Sequence, residues 1–146
     1  MKDERITLET AKLAKNKNFN EFVNGTYTEY LVDQTDPEYP EGGGPFSMKK
    51  GEIEFDTTYI RNNDNNSDLT CKNYACYSAP TQSLLQKWLR EVHNIHVGLI
   101  HESHGWMFIL SNITENDEGK CGYDNYKTYE EALEAGFKKA FRDYIK

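Results

Sequence analysis

No stretch of this chain approaches the roughly 20 consecutive apolar residues that a membrane span requires. Prolines number 4 and cysteines 3 in 146 residues. The cysteine count is odd, and the opening Met1-Lys2-Asp3-Glu4-Arg5 is charged rather than apolar. Neither an export signal nor a disulfide framework fits those facts, so the expectation is free thiols in a reducing cytoplasm. Basic runs are missing as well. Acids number 24 against 17 bases, for a formal charge of -7. A long nucleic acid must be met by a basic face. Polymeric DNA and RNA are therefore set aside as partners, as is the membrane. A small anion is not, because a few cationic groups and backbone N–H donors suffice to hold one.

Catalytic and metal signatures are also absent. His101-Glu102-Ser103-His104 places its histidines three apart ahead of Gly105, whereas a helical zinc protease needs them four apart. His93 and His96 complete a cluster of histidines, but no pair has a recognised ligand spacing, so no metal is expected. Asp64-x-Asn66-x-Asp68 opens like a calcium loop but carries Leu69 and Ala75 where Gly and Glu belong. Gly42-Gly43-Gly44 lacks the Lys-Ser/Thr ending of a phosphate loop. No base is tied to Cys76, so nothing marks it as a nucleophile. No cofactor and no enzyme chemistry follow.

Aromatics are what the chain has: 10 Tyr, 7 Phe and 2 Trp. That is too many for a solvated tail and enough for a core. Thr7 caps a short helix to Lys17, which Asn18 stops. Thr26–Val32 reads as a strand, 33–50 as a long functional or flexible loop, and Glu52–Ile60 as a second strand. Arg61–Asp68 is a polar turn, and Lys72–Tyr77 a further short strand. The central helix runs from Ala79 to His93, with Ser78 as cap and Pro80 in the first turn. A hairpin follows, with Ile95, Val97 and Leu99 alternating, a five-residue turn over His101–Gly105, and a return along Trp106–Ile113. The last helix opens with the capping box Thr128-x-x-Glu131 and carries Leu133, Phe137, Ala140, Phe141 and Tyr144 on one stripe. The predicted order α-β-β-(β)-α-β-β-α makes a single α+β domain, an antiparallel sheet with helices packed on one face.

One place favours a ligand. Ser78-Ala79-Pro80-Thr81-Gln82-Ser83 gathers hydroxyls and an amide where the unpaired N–H groups of a helix start attract an anion. Plain capping explains the same residues. Tyr74 and Tyr77 offer flat faces for a base, and Arg90 a charge, although tyrosines in strands also serve as cross-strand partners. The aromatic stripe of the last helix is wide enough to meet a second copy of the chain as well as its own core, making a homo-oligomer one expectation.

Tyr77 to Glu91 (Tyr-Ser-Ala-Pro-Thr-Gln-Ser-Leu-Leu-Gln-Lys-Trp-Leu-Arg-Glu) resembles a family of small uncharacterised proteins from phages and prophages of Bacteroides-type bacteria. Thr7–Phe19 and Tyr126–Gly136 match it too, with Asn18 where Gly is usual and Phe137 where Leu is usual; residues 33–70 show no likeness. The family has no established catalytic residues to transfer. The resemblance implies a viral protein in the cytoplasm of an infected host, and thereby an anti-defence sponge. Such a sponge sequesters a cyclic nucleotide or ADP-ribose derivative without catalysis. Ser78, Thr81, Gln82, Ser83, Arg90, Tyr74 and Tyr77 are its expected contacts. The alternatives are a protein–protein inhibitor of a host defence enzyme and an enzyme that degrades such a signal.

Overall fold

The computed structural model describes residues 4–33, 35, 38, 40–41, 44, 47–57, 74–115, 119–122 and 124–145. The Asn-rich turn, Cys71, most of the Gly42–Pro45 segment and the end of the predicted second strand lie outside them. The α+β class is observed. Among the described residues its strands, however, form two three-stranded antiparallel sheets rather than one. The chain divides into two compact units, one of Met1–Lys17 with Pro80–Lys146 and one of Asn18–Ala79.

The first unit holds every helix found among the described residues. Helix α1 spans Leu8–Asn16. The Thr7 hydroxyl accepts from Thr10 N at 3.4 Å, and Asn18 follows the helix at a φ of 64°, the left-handed stop its sequence predicts. Helix α2 spans Gln82–His93 and ends at Asn94, also left-handed at 56°. Strands β4 (Ile95–Glu102) and β5 (Gly105–Asn112) pair in register from Ile95↔Asn112 to Glu102↔Gly105, and the two-residue strand β6 (Lys120–Cys121) joins β5. Helix α3 runs from Tyr129 to Asp143. It packs across β4 and β5, with α1 and α2 beside it. Val97, Leu110, Leu85, Leu89, Leu133, Phe137 and Phe141 are sealed within this unit's core. Each such side chain contributes about 1.5–3 kcal/mol of burial.

Two local expectations are corrected. Ser78 does not cap the central helix. It is the last residue of strand β3 (Tyr74–Ser78), opposite Thr26, and Ala79 N donates to Gly25 O at 2.8 Å, so the backbone there is committed to a sheet. The helix starts three residues later at Thr81, which is extended (φ -69°, ψ 158°) and accepts from Leu84 N at 3.4 Å. Pro80 therefore precedes the helix rather than sitting in its first turn. The hairpin turn is also tighter than the five residues predicted. Pairing continues to Glu102 and Gly105, leaving Ser103-His104 as the turn, because Gly105 takes a φ of +136° that other residues resist.

The second unit is a sheet in the order β2-β1-β3, made of β1 (Thr26–Tyr30), β2 (Ile53–Asp56) and β3 (Tyr74–Ser78). Tyr27 packs on Phe55 with ring centroids 5.4 Å apart, and Tyr30 lies 6.4 Å from Tyr74. The Tyr30 hydroxyl donates to Glu54 Oε2 at 2.9 Å.

Candidate functional site

The residues singled out at the helix start are divided between the two units. Tyr74, Tyr77 and Ser78 belong to the β-sheet unit, where both tyrosines are half-buried and Ser78 is 0% exposed. In the first unit Thr81 spends its hydroxyl on the helix cap, Ser83 is exposed and Arg90 is half-buried. Gln82 is buried, and its backbone N–H already donates to Glu4 O at 2.7 Å. The N–H groups of Gln82 and Leu84 are thus turned to the chain's own carbonyl and hydroxyl oxygens. An Arg5–Thr81 bridge and an Ile6 N–H donated to Pro80 O at 3.1 Å lay residues 4–6 along this helix start.

Below that point opens a groove of about 1680 Å³, and of the seven predicted residues it takes only Gln82. Phe108 and Leu110 of β5, Gly119 and Gly122 around β6, and Tyr126 supply one side. Thr7 and Gln82 stand near its head, and α3 makes the long wall. Gly136 lets that wall sit close: a Cβ there would meet Val97 Cγ1 at 2.7 Å and Phe108 Cβ at 3.2 Å. The backbones of Trp106 and Tyr126 exchange N–H···O bonds of 2.8 Å, which fix Tyr126 beside the sheet with its ring 6.4 Å from Phe108.

Glu134 anchors the head of the groove. Its carboxylate is 9% exposed and accepts from Thr7 N (3.1 Å), Thr7 Oγ1 (2.9 Å), Thr10 Oγ1 (2.5 Å) and Gln82 Nε2 (3.3 Å). Gln82 Nε2 also reaches Glu130 O at 3.2 Å. Buried charge is tolerated when its lone pairs are filled, and these are. Glu134 is thus a structural knot that ties the entry to α1 and the start of α2 onto α3.

Along α3 the charge of the lining reverses. Glu130, Glu131 and Glu134 come first; Lys138, Lys139 and Arg142 follow. At 1.5 Å per residue, Glu131 and Arg142 stand about 16 Å apart along the helix. This polarity complements the helix dipole, and it also gives the groove an acidic end and a basic end. The Tyr126 hydroxyl is held above its ordinary pKa, by burial first and Asp124 second, with Lys138 pulling the other way. It therefore stays protonated near neutrality, able both to donate and to accept. Lys138 Nζ lies 2.6 Å from Glu9 Oε2, Arg142 donates to Glu9 Oε1 at 3.0 Å, and Lys139 pairs with Asp143.

No family model matches this chain, and neither a curated protein nor a solved structure does.

The groove's described lining carries carboxylates, cations, hydroxyls and aromatic rings but neither Cys nor His. The clustered histidines are dispersed. His93 packs edge-on against Trp88 at 4.5 Å, His101 stacks on Trp106 at 4.7 Å, and His96 and His104 are exposed. Among the described residues no three His, Cys, Asp or Glu side chains gather around a point fit for a metal. In the sequence, the lengthwise reversal of charge is the signal for this groove, but acids and bases on a helix ordinarily face water, and only the fold sets these beside a concavity.

Proposed function

We propose that this protein is a non-catalytic binding module for a small nucleotide-like ligand, held in the groove against α3. The observation that carries the reading is the pairing of the half-buried Tyr126 ring, backed by the buried Phe108, with a wall that is acidic at one end and basic at the other. A nucleobase offers a flat face and N–H donors, which suit rings and carboxylates; its phosphate suits Lys138 and Arg142. Acids in the lining (Glu4, Asp124, Glu130, Glu131, Glu134) outnumber bases (Arg5, Lys138, Lys139, Arg142), so the groove as a whole does not suit a long polyphosphate chain. The volume exceeds the roughly 300–1,000 Å³ of a drug-sized pocket, leaving room for a dinucleotide or an ADP-ribose derivative that carries a terminal phosphate. Together with the likeness of Tyr77–Glu91 to phage proteins, this supports an anti-defence sponge working in an infected host.

Thermal unfolding against nucleoside monophosphates, cyclic dinucleotides and ADP-ribose isomers tests the reading. A true ligand at about 100 times its Kd adds about 2.7 kcal/mol. Ala135 lines the groove without taking part in the Glu134 knot, so Ala135→Phe should abolish the stabilisation while the variant stays folded. A melting point unmoved by every member of the panel ends the proposal.

Inhibition of a host protein is the second reading, and β2 favours it. Ile53 and Phe55 are 51% and 46% exposed and alternate with Glu52, Glu54 and Asp56. A partner captured from host lysate and lost on Ile53→Lys would promote this reading.

A further inference from the structure

Lys138 and Arg142 line the groove, yet both hold the same carboxylate of the chain itself. Glu9 lies in the first turn of α1, two residues beyond Thr7, which lines the head of the groove. Its two oxygens are divided between the two cations, Oε2 to Lys138 and Oε1 to Arg142. That is how a lysine and an arginine would grip two oxygens of a phosphate. Glu9 is 57% exposed, Arg142 58% and Lys138 27%. Solvent thus reaches all three partners, and the contact can open without exposing any core.

Resting on the groove reading above, we infer that Glu9 is a displaceable internal counter-ion, which Lys138 and Arg142 exchange for the terminal phosphate of the ligand. The exchange has a physical direction. A carboxylate brings one charge, whereas a phosphate monoester near neutrality brings nearly two and a third acceptor oxygen. Two cations therefore prefer the phosphate once rings hold the rest of the ligand in place. The Lys138 hydrogen bond, then the Lys138 charge and Arg142, keep the Glu9 carboxyl below its ordinary pKa, so it is ionised and seated at neutral pH. A nucleoside without phosphate gains nothing from displacing it. The counter-ion thus sets selectivity for phosphorylated over unphosphorylated ligands and lowers affinity for weak anions.

The alternative is that Glu9 only staples α1 to α3, and the test separates the two. Adenosine 5′-monophosphate, inorganic phosphate and adenosine are titrated by NMR into wild type, Glu9→Gln and Glu9→Gln with Lys138→Gln. The exchange predicts that Glu9→Gln binds the two phosphates about three- to tenfold tighter, the size of one or two half-exposed charge-assisted contacts. Adenosine should be unchanged, and Lys138→Gln should erase the gain. In wild type, the Glu9 carboxyl should titrate closer to an ordinary glutamate when the monophosphate is bound. Monophosphate affinity equal in wild type and Glu9→Gln, or an equal gain for adenosine, overturns the exchange and leaves the groove reading standing. Absence of binding by wild type and both variants, to all three probes at millimolar concentration, overturns the exchange, and the larger ligands of the panel above then decide the groove reading by themselves.

Discussion

At the scale of single residues, two buried groups have consequences that can be measured. Glu134 accepts hydrogen bonds from Thr7, Thr10 and Gln82. Glu134→Ala removes the acceptor and leaves the buried Thr10 hydroxyl without it, while Gln82 keeps only its bond to Glu130 O. A loss of about 2–4 kcal/mol is expected in urea denaturation, whereas Glu131→Ala, at an exposed position, should cost about 1 kcal/mol or less, since only a capping contact to Lys127 N is lost. His93 behaves differently. Its Nε2 is shut off from solvent with no hydrogen-bond partner, and burial, followed by the charge of Lys17, lowers its pKa from the ordinary 6.5. The neutral ring is the form that folds. Its contribution is complete above the unfolded-state pKa and is lost as pH falls through the lower folded value. Melting temperature should therefore drop as pH is lowered below about 6.5, and His93→Phe, which keeps a ring on Trp88, should flatten part of that slope.

Elements show which signals are local. The stops at Asn18 and Asn94 and the caps at Thr7 and Thr128 were readable because a cap needs only its own next few residues. Ser78 and Thr81 were equally good caps by type. What decided between them was the pairing of Ser78 with Thr26, a partner far along the chain. The separation of the strands into two sheets was hidden for the same reason, since the boundaries at Lys17 and Ala79 carry no linker composition. The groove was half legible: the acids and bases of α3 were in plain view, but only the fold shows that they face a concavity. Gly136 sets the depth of that concavity. Alanine there improves helix propensity by about 1 kcal/mol, yet its methyl has no room against Val97 and Phe108. Overpacking should win, so Gly136→Ala should lose about 1–2 kcal/mol net, and Gly136→Val more. Equal or greater stability in Gly136→Ala would mean that α3 can retreat from the sheet at little cost.

For the whole molecule, stability should be uneven. Val97, Leu110 and Phe137 are 0% exposed in the first unit, whereas every residue of β2 in the second is exposed. Amide exchange should be slowest along β4 and β5 and at least tenfold faster in β2, because opening free energy follows buried apolar contact. Uniform protection would contradict that division. The Thr7–Glu134 bond has a further consequence, because it closes a span of 127 residues. On the ribosome, residues 4–17 emerge many seconds before their carboxylate is even synthesised. Until then, the threonines that will hold it have only water to satisfy them, and α1 is too short to persist by itself. Residues 4–17 must therefore dock late, onto a helix whose carboxylate lies 127 residues further along the chain.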